Sequence, residues 1–132
     1  MSIDVALKLK NINFNEINLT LVDGMSIDKL KIRYNWIFNA TIKDAIIGED
    51  EYGLVWYKGT WICGEWYDGT WYSGDFLDGV WKNGKFYSYR LNNFDIINGN
   101  LNIIEEDKKY SVFHKGIWED GDFYNGIFGN VD

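Results

Sequence analysis

The sequence predicts an all-β fold in which N-terminal antiparallel strands precede a pentad-repeat β-solenoid. Two patterns support this prediction. Apolar and polar residues alternate along the first third of the chain, and aromatic and glycine residues recur at every fifth position from Trp56 onward. Hydrophobic residues make up 46% and aromatic residues 18% of the 132 residues, so the chain is able to bury a core within one domain.

Residues 1–55 form the predicted N-terminal β region. Apolar residues alternate with polar ones between positions 5 and 21, which is typical of strands with one buried face. Asp23-Gly24 is a tight-turn signal. Beyond it, every second residue from 30 to 38 is aromatic or aliphatic, so we expect a longer strand there and no helix of more than a turn.

Residues 56–87 repeat the five-residue unit Gly-x-Trp/Phe-x-x without interruption, and the unit returns in a second pentad block, residues 116–132. The glycine and the aromatic residue are two positions apart. They therefore lie on the same face of a strand, and we expect both to point inward. The predicted repeat core consists of Trp56, Trp61, Trp66, Trp71, Phe76, Trp81, Phe86, Trp118, Phe123 and Phe128.

Residues 88–115 separate the two pentad blocks and are predicted to be irregular strands with a hairpin insertion. The five-residue spacing persists weakly through Leu91, Ile96 and Leu101. The charged run at residues 105–108 predicts the turn of the inserted hairpin.

Two folds fit a period of five. In an antiparallel meander, Asp68-Gly69 would be a two-residue hairpin loop. In a three-residue strand such as 60–62, the first residue would then have to pair with the preceding strand and the last residue with the following strand, on opposite sides. The backbone N–H and C=O groups of residues two positions apart point to the same side, so every strand would need a bulge. In a β-solenoid each pentad is one face and the backbone pairs in parallel ladders. The solenoid is therefore preferred, and the bulged β-meander is the alternative.

A solenoid of so few coils exposes its core and its strand edges at both ends. With four faces to a coil, residues 56–87 would make about one and a half coils. We expect the N-terminal strands to cap one end and the other end to be free for a partner or a second copy, because repeat arrays need capping.

In each unit an inward small residue is followed, two positions later, by an inward large residue. This pattern resembles that of the pentapeptide-repeat proteins, with Trp in place of their Leu or Phe. It also resembles the Gly-Trp pentad arrays of structural proteins of tailed bacteriophages. The likeness covers residues 56–87 and, less fully, 116–128. A lower-ranked resemblance is to MORN repeats, whose core matches Tyr-x-Gly-x-Trp-x-x-Gly at residues 57–64 but whose later glycines are missing. The resemblance implies a rigid solenoid and a structural component of a virion.

The residues that directly follow the inward aromatics form a second row, which points outward. An outward row in water is normally polar, yet this one is mostly tyrosine and aliphatic, so we expect it to be covered by another protein chain. The predicted protein-contact face consists of Tyr57, Ile62, Tyr67, Tyr72, Leu77 and Tyr87.

Charge and residue content exclude several classes of function. The net charge of −7 opposes binding to nucleic-acid phosphates. The chain has a single cysteine, Cys63, and a single histidine, His114, and the acidic groups at 49–51 and 119–122 lack EF-hand spacing. We therefore expect no catalytic residues, no cofactor and no metal site. No apolar run approaches a membrane span and the start lacks a secretory signal, so we expect synthesis in a cytoplasm.

The sequence favours a non-catalytic structural or assembly protein that acts through contacts with other protein chains, in a homo- or hetero-oligomer. The resemblance implies a location in the virion, as a decoration, fibre-base, head or tail component. Two alternatives remain open. One is a carbohydrate-binding module, because regularly spaced rings can stack on sugars. The other is an acidic nucleic-acid mimic, which the resemblance to pentapeptide-repeat proteins implies.

Overall fold

The structure is a computed structural model that describes residues 19–95, 100–105 and 110–129. The predicted strands before residue 19 therefore lie outside the described residues. Neither described helix is long and apolar enough to span a membrane. The helical elements are α1 (Ile27–Arg33) and a 3-10 helix (Asn35–Asn39). The strands are β1 (Thr20–Leu21), β2 (Thr41–Asp50), β3 (Gly53–Cys63), β4 (Glu65–Trp66), β5 (Thr70–Trp71), β6 (Gly74–Phe76), β7 (Val80–Trp81), β8 (Lys85–Phe86), β9 (Tyr89–Asp95), β10 (Asn100–Glu105), β11 (Ser111–Phe113), β12 (Ile117–Trp118), β13 (Asp122–Phe123) and β14 (Ile127–Phe128).

The prediction of an all-β protein is confirmed, because strands dominate and the pentad strands form a curled parallel sheet. Each pentad strand pairs with the strand 15 residues further along: Trp56 is opposite Trp71, and Trp71 is opposite Phe86. A coil therefore contains three pentads and has three sides. The predicted four-sided coil is wrong, since pentads pair with the third pentad beyond them and not the fourth.

Aromatic rings fill the interior of the coil in three stacks, one behind each side. Rings within a stack are nearly parallel: Trp56 and Trp71 have centroids 4.7 Å apart and planes at 4°. This spacing matches the separation of neighbouring strands in a sheet, roughly 4.7–4.9 Å. Rings of different stacks meet edge to face, as Trp56 and Trp61 do at 67°. The three stacks are Trp56–Trp71–Phe86–Phe123, Trp61–Phe76–Phe113–Phe128 and Trp66–Trp81–Trp118.

The first coil is joined to an antiparallel hairpin. β2 pairs with β3 along most of its length, from Thr41 opposite Cys63 to Asp50 opposite Gly53, with three shifts of register. β3 then also pairs in parallel with β5 and β6. One long strand therefore belongs both to the hairpin and to the first coil.

The residues between the two pentad blocks leave the coil as a hairpin. β9 pairs antiparallel with β10, and Tyr89 at the start of one lies opposite Glu105 at the end of the other. Leu91 and Leu101, which keep the five-residue spacing, therefore lie in the strands of this hairpin, while Ile96 lies outside the described residues. Glu105 pairs with Tyr89 at the base of this hairpin, and the rest of the run at which a turn was predicted, residues 106–108, lies outside the described residues.

The coil resumes after this hairpin in its original register. Phe76 lies opposite Phe113, which is 37 residues later in the chain, whereas paired residues of the uninterrupted pentads are 15 apart. The difference of 22 residues is the length of the insertion. Because the strand Ser111–Phe113 takes the place that a strand near residue 91 would have had, the ring stack continues unbroken.

The predicted strand at residues 30–38 is wrong, because the segment is helical. Asp23 and Gly24 do form the predicted turn, both with positive φ. Ser26 then caps α1, accepting a hydrogen bond from the Lys29 amide at 3.1 Å. Apolar residues alternate along the segment as they would in a strand. Leu30 is nevertheless buried while Ile32, two positions later, is exposed, as expected for a helix and not for one face of a strand.

Glycine lets neighbouring coils approach closely at each corner. Gly74 has φ of +122°, and a Cβ placed there would overlap the carbonyl oxygen of Gly59 in the preceding coil. Gly129 has φ of +90°, but a Cβ there would meet nothing within 4 Å. Gly74 is therefore required by both conformation and space, and Gly129 by conformation alone.

We expect Gly129→Ala to cost about 1–3 kcal/mol, the usual strain of a non-glycine residue in this backbone region. Gly74→Ala should cost clearly more, because the methyl group also pushes two coils apart. Urea denaturation of the two variants measures the difference. Equal losses of unfolding free energy would contradict the close approach of the coils.

The core rings should tolerate a change of ring but not the loss of one. The indole N–H of Trp71 is buried with no acceptor among the described residues, and Phe86 fills the equivalent place one coil later. We expect Trp71→Phe to cost less than about 1.5 kcal/mol. Trp71→Ala should cost about 3–5 kcal/mol because it leaves a cavity. Chemical denaturation that finds both variants equally unstable would contradict ring stacking as the core interaction.

Candidate protein-contact surface

The six residues of the predicted contact face do not form one patch. Residues 15 apart share a side of the coil, so a row with a spacing of five is distributed over all three sides. The expectation of a single apolar strip is therefore wrong, because it assumed that successive pentads lie side by side. The first side carries Tyr57, Tyr72 and Tyr87, the second Ile62 and Leu77, and the third Tyr67.

The tyrosines of the first side form a stacked ladder. Tyr57 and Tyr72 have ring centroids 5.6 Å apart, Tyr72 and Tyr87 5.7 Å, and Tyr87 and Tyr124 4.6 Å. Tyr57 is only 8% exposed, and its hydroxyl donates a hydrogen bond to Asp23. Burial, followed by this hydrogen bond, raises the pKa of Tyr57. Tyr57 is therefore a buried residue beneath the N-terminal segment and not a free contact residue.

The other residues of the predicted face remain partly accessible. Tyr72 and Tyr87 are half-buried within the ladder, and Ile62 is half-buried on its own side. Tyr67 and Leu77 are exposed, although Trp36 stacks on the Tyr67 ring at 5.6 Å. No side of the coil thus presents a wide apolar surface within the described residues.

The predicted repeat core is buried at one end and open at the other. Each of the seven aromatic residues of the first block has no exposed surface. In the second block Trp118 and Phe123 are half-buried. Phe128 is 52% exposed, so its place as an enclosed core residue is corrected: it is the last ring of its stack, and no further described ring stacks on it.

Among the described residues, helical ones cover the N-terminal end of the ring column, while the expected strands before residue 19 lie outside the described residues. Trp36 from the 3-10 helix packs edge-on against Trp66, with centroids 5.3 Å apart. Leu30 and Ile37 are fully buried in the same cluster, and the Cα and Cβ of Ala40 lie close to Gly64. This end of the column is therefore closed.

A polar network ties this helical cap to the hairpin. Glu49 of β2 accepts hydrogen bonds from the Tyr34 hydroxyl at 2.6 Å, from Lys29 Nζ at 3.1 Å and from Arg33 Nη1 at 3.1 Å. The hydrogen bond from Tyr34, then that from Lys29, lowers the pKa of Glu49 to about 2. Burial, together with the bond to Glu49, raises the pKa of Tyr34 to about 12.

The cap should weaken in acid because of Glu49. Its folded pKa of about 2 lies below the ordinary glutamate value of 4.5, so the carboxylate adds stability above that value and loses it as pH falls toward 2. Thermal unfolding between pH 6 and pH 2 should therefore depend less on pH in Glu49→Gln. Glu51→Gln, at an exposed carboxylate in the next turn, is the control. A Glu49→Gln profile parallel to that of the native protein would contradict the network.

The opposite end of the column is open among the described residues. β12, β13 and β14 each pair with one earlier strand and present their other edge. In the preceding coil, the carbonyl of Trp81 accepts from the Glu119 amide at 2.8 Å and that of Phe86 from the Tyr124 amide at 2.8 Å. The carbonyls of Trp118 and Phe123 occupy the same places in the last coil, where no described residue pairs with them. We call this surface, residues 116–129, the open end.

Residues suited to chemistry are scattered. His114 Nε2 lies 3.0 Å from Asp75 Oδ1 in a partly exposed pair on the side of the coil. Cys63 is an exposed free thiol at the end of β3. Among the described residues no three histidine, cysteine or acidic side chains cluster as a metal site would require. The expectation that the chain is not an enzyme remains a prediction.

Comparisons of the chain with protein-family models, with curated proteins and with solved structures gave no match. The function must therefore be argued from the geometry of the chain itself.

Proposed function

We propose that the protein is a non-catalytic structural component that joins a larger assembly through the open end of its ring column. The chain would act as a pentad-repeat β-solenoid of three-sided coils, closed by its helical cap at one end. The observation that supports this function is the bare last layer of rings and strand edges at residues 116–129.

The open end combines the two features that favour addition of another chain. On all three sides its strand edges present N–H and C=O groups that no other described strand pairs with, a ready template for β-pairing. Its rings offer an apolar surface, with Phe128 52% and Ile117 59% exposed. A strand or coil of another chain laid on this end would satisfy both at once, in the manner of β-strand addition.

The closed end decides the direction in which such an assembly grows. Trp36, Ile37 and Ala40 cover the first coil, so a copy of the protein cannot continue the column from that end. Two copies can still meet open end to open end, and a different subunit can dock there. The arrangement favours a terminating subunit or a plug over a subunit of an endless fibre.

The resemblance to Gly-Trp pentad arrays of tailed bacteriophages directs this proposal to a virion, where the protein would be a decoration, fibre-base, head or tail component. Mass spectrometry of particles purified from the source tests this part separately. Detection at a fixed copy number per particle is the expected result. Absence from the particles, with the protein present in infected cells, would contradict it.

The nucleic-acid mimic is a weaker alternative. Its support is the net charge of −7. Along the coil, however, acidic residues alternate with other types: Asp68, Asn83 and Asp120 follow one another at one corner, and Thr70, Lys85 and Asp122 beside it. A regular stripe of phosphate-like charge would require acidic residues at each of these places.

Association through the open end should be sensitive to a charge placed there. If the partner is a second copy, sedimentation of the pure protein should reveal self-association. If the partner is a different subunit, the protein should sediment with its native assembly as a bound subunit. Phe128→Lys should release the monomer, because the ammonium group would be buried on the bare ring layer. An interface of this kind typically buries about 1,200–2,000 Å².

Ile32→Lys is the matched control for Phe128→Lys. Ile32 is a large apolar residue that is 80% exposed on α1, at the closed end. It should leave association unchanged. A protein that stays monomeric alone, and whose residues 116–129 face solvent in the native assembly, would contradict the proposal.

A further inference from the structure

A groove runs along one corner of the coil, where the chain turns at Gly69 and Gly84. It consists of two adjoining cavities of about 300 Å³ and about 220 Å³, both lined by Tyr52, Asp68 and Gly69. Together they have the size of a site for a small molecule. The groove lies on the side of the column and shares a single lining residue, Asp122, with the open end.

Aromatic residues stand at two places along the groove. Tyr52 lies in the turn between β2 and β3 and is 82% exposed. Asp50 Oδ1 accepts hydrogen bonds from the Tyr52 amide at 2.8 Å and the Gly53 amide at 3.1 Å, which fixes this turn. Trp36 lines the other cavity and is held by its stack on Tyr67. Both rings are therefore positioned before any ligand arrives.

Polar side chains line the floor between these rings. Asp68, Asn83 and Asp122 come from three successive coils, and all three are exposed. Asp68 Oδ1 accepts from the Gly69 amide at 2.8 Å, which orients its carboxylate. The groove thus offers carboxylate and amide groups: Asp68 and Asn83 follow one another at one corner, roughly 4.8 Å apart as neighbouring strands are, and Asp122 lies in the row beside them.

The charges that line the groove cancel. Asp68 and Asp122 are balanced by Arg33 and by Lys85, whose Nζ lies 5.8 Å from the centre of the Tyr52 ring. A balanced site gives no net attraction to phosphate, sulfate or an ammonium group. The chemistry fits an uncharged ligand with many hydroxyl groups and an apolar face.

We propose that this groove binds a neutral oligosaccharide. The exposed ring of Tyr52 stacks on the C–H face of one pyranose ring, since tyrosine combines an apolar face with a polar edge. Asp68 and Asp122 accept hydrogen bonds from sugar hydroxyls, and the Asn83 amide both donates and accepts. Trp36 lines the second of the two adjoining cavities, so the groove offers a second ring and room for more than one sugar unit.

Isothermal titration calorimetry of the full chain with maltopentaose, cellopentaose and N-acetylchitopentaose, together with an array of neutral glycans, tests this site. At least one neutral oligosaccharide should bind. Tyr52→Ala should then weaken binding by about tenfold or more, the equivalent of one lost stacking contact of about 1.4 kcal/mol. Asn83→Ala should weaken the same interaction. Both residues are exposed, so the variants should keep the native circular dichroism.

Leu77→Ala is the control, because Leu77 is an exposed apolar residue on the second side of the coil and is not among the residues that line the groove. It should leave the affinity for the oligosaccharide unchanged. Binding lost equally in Tyr52→Ala and Leu77→Ala would overturn the assigned site. Failure of every neutral glycan to bind at millimolar concentration would overturn the proposal. Neither result would affect the assembly role of the open end.

Discussion

Each core ring stacks on the equivalent ring of the next coil, at centroid distances of 4.6–5.8 Å and with planes within 4–11° of parallel. This stacking works because neighbouring strands in a sheet are separated by nearly the thickness at which aromatic rings pack. The glycines complete the constraint, since only a residue without Cβ lets one corner lie against the carbonyl of the corner below. The five-residue unit thus supplies one ring and one close corner for each side of the coil.

The arrangement also explains why the chain tolerates a hairpin of irregular sequence between the two blocks. The strand Ser111–Phe113 pairs with β6 in the same register that an uninterrupted pentad would have used. Ser88 accepts a hydrogen bond from the Tyr110 amide at 3.2 Å, which joins the two ends of the excursion. The excursion therefore leaves the ring column intact, and the backbone of the coil continues as if it were absent.

The sequence was informative where a strict period extended over many residues, and it was misleading where a pattern covered only a few residues. The spacing from Trp56 to Phe86 predicted the inward rings, because a residue type repeated with glycine in register has few other uses. It did not reveal three sides to a coil, since any number of equal sides fits a period of five. The segment at residues 30–38 alternated like a strand, and its helix was signalled only by the cap residue Ser26 and the spacing of Ile27 and Leu30. The groove at Tyr52 could not be predicted, because its residues come from the hairpin turn and three coils.

The central claim is that the backbone of the pentads is held by parallel ladders between coils, with one end closed and the other open. Hydrogen exchange of single amides, measured by nuclear magnetic resonance, tests this most directly. The account predicts slow exchange for Tyr72, Leu77 and Lys82, whose amides donate to the preceding coil and which are followed by a further coil. The amides of Ile117, Asp122 and Tyr124 also donate to the preceding coil, but no described coil follows them, so they should exchange faster. Protection confined to β2 and β3, with rapid exchange throughout residues 64–87, would contradict it.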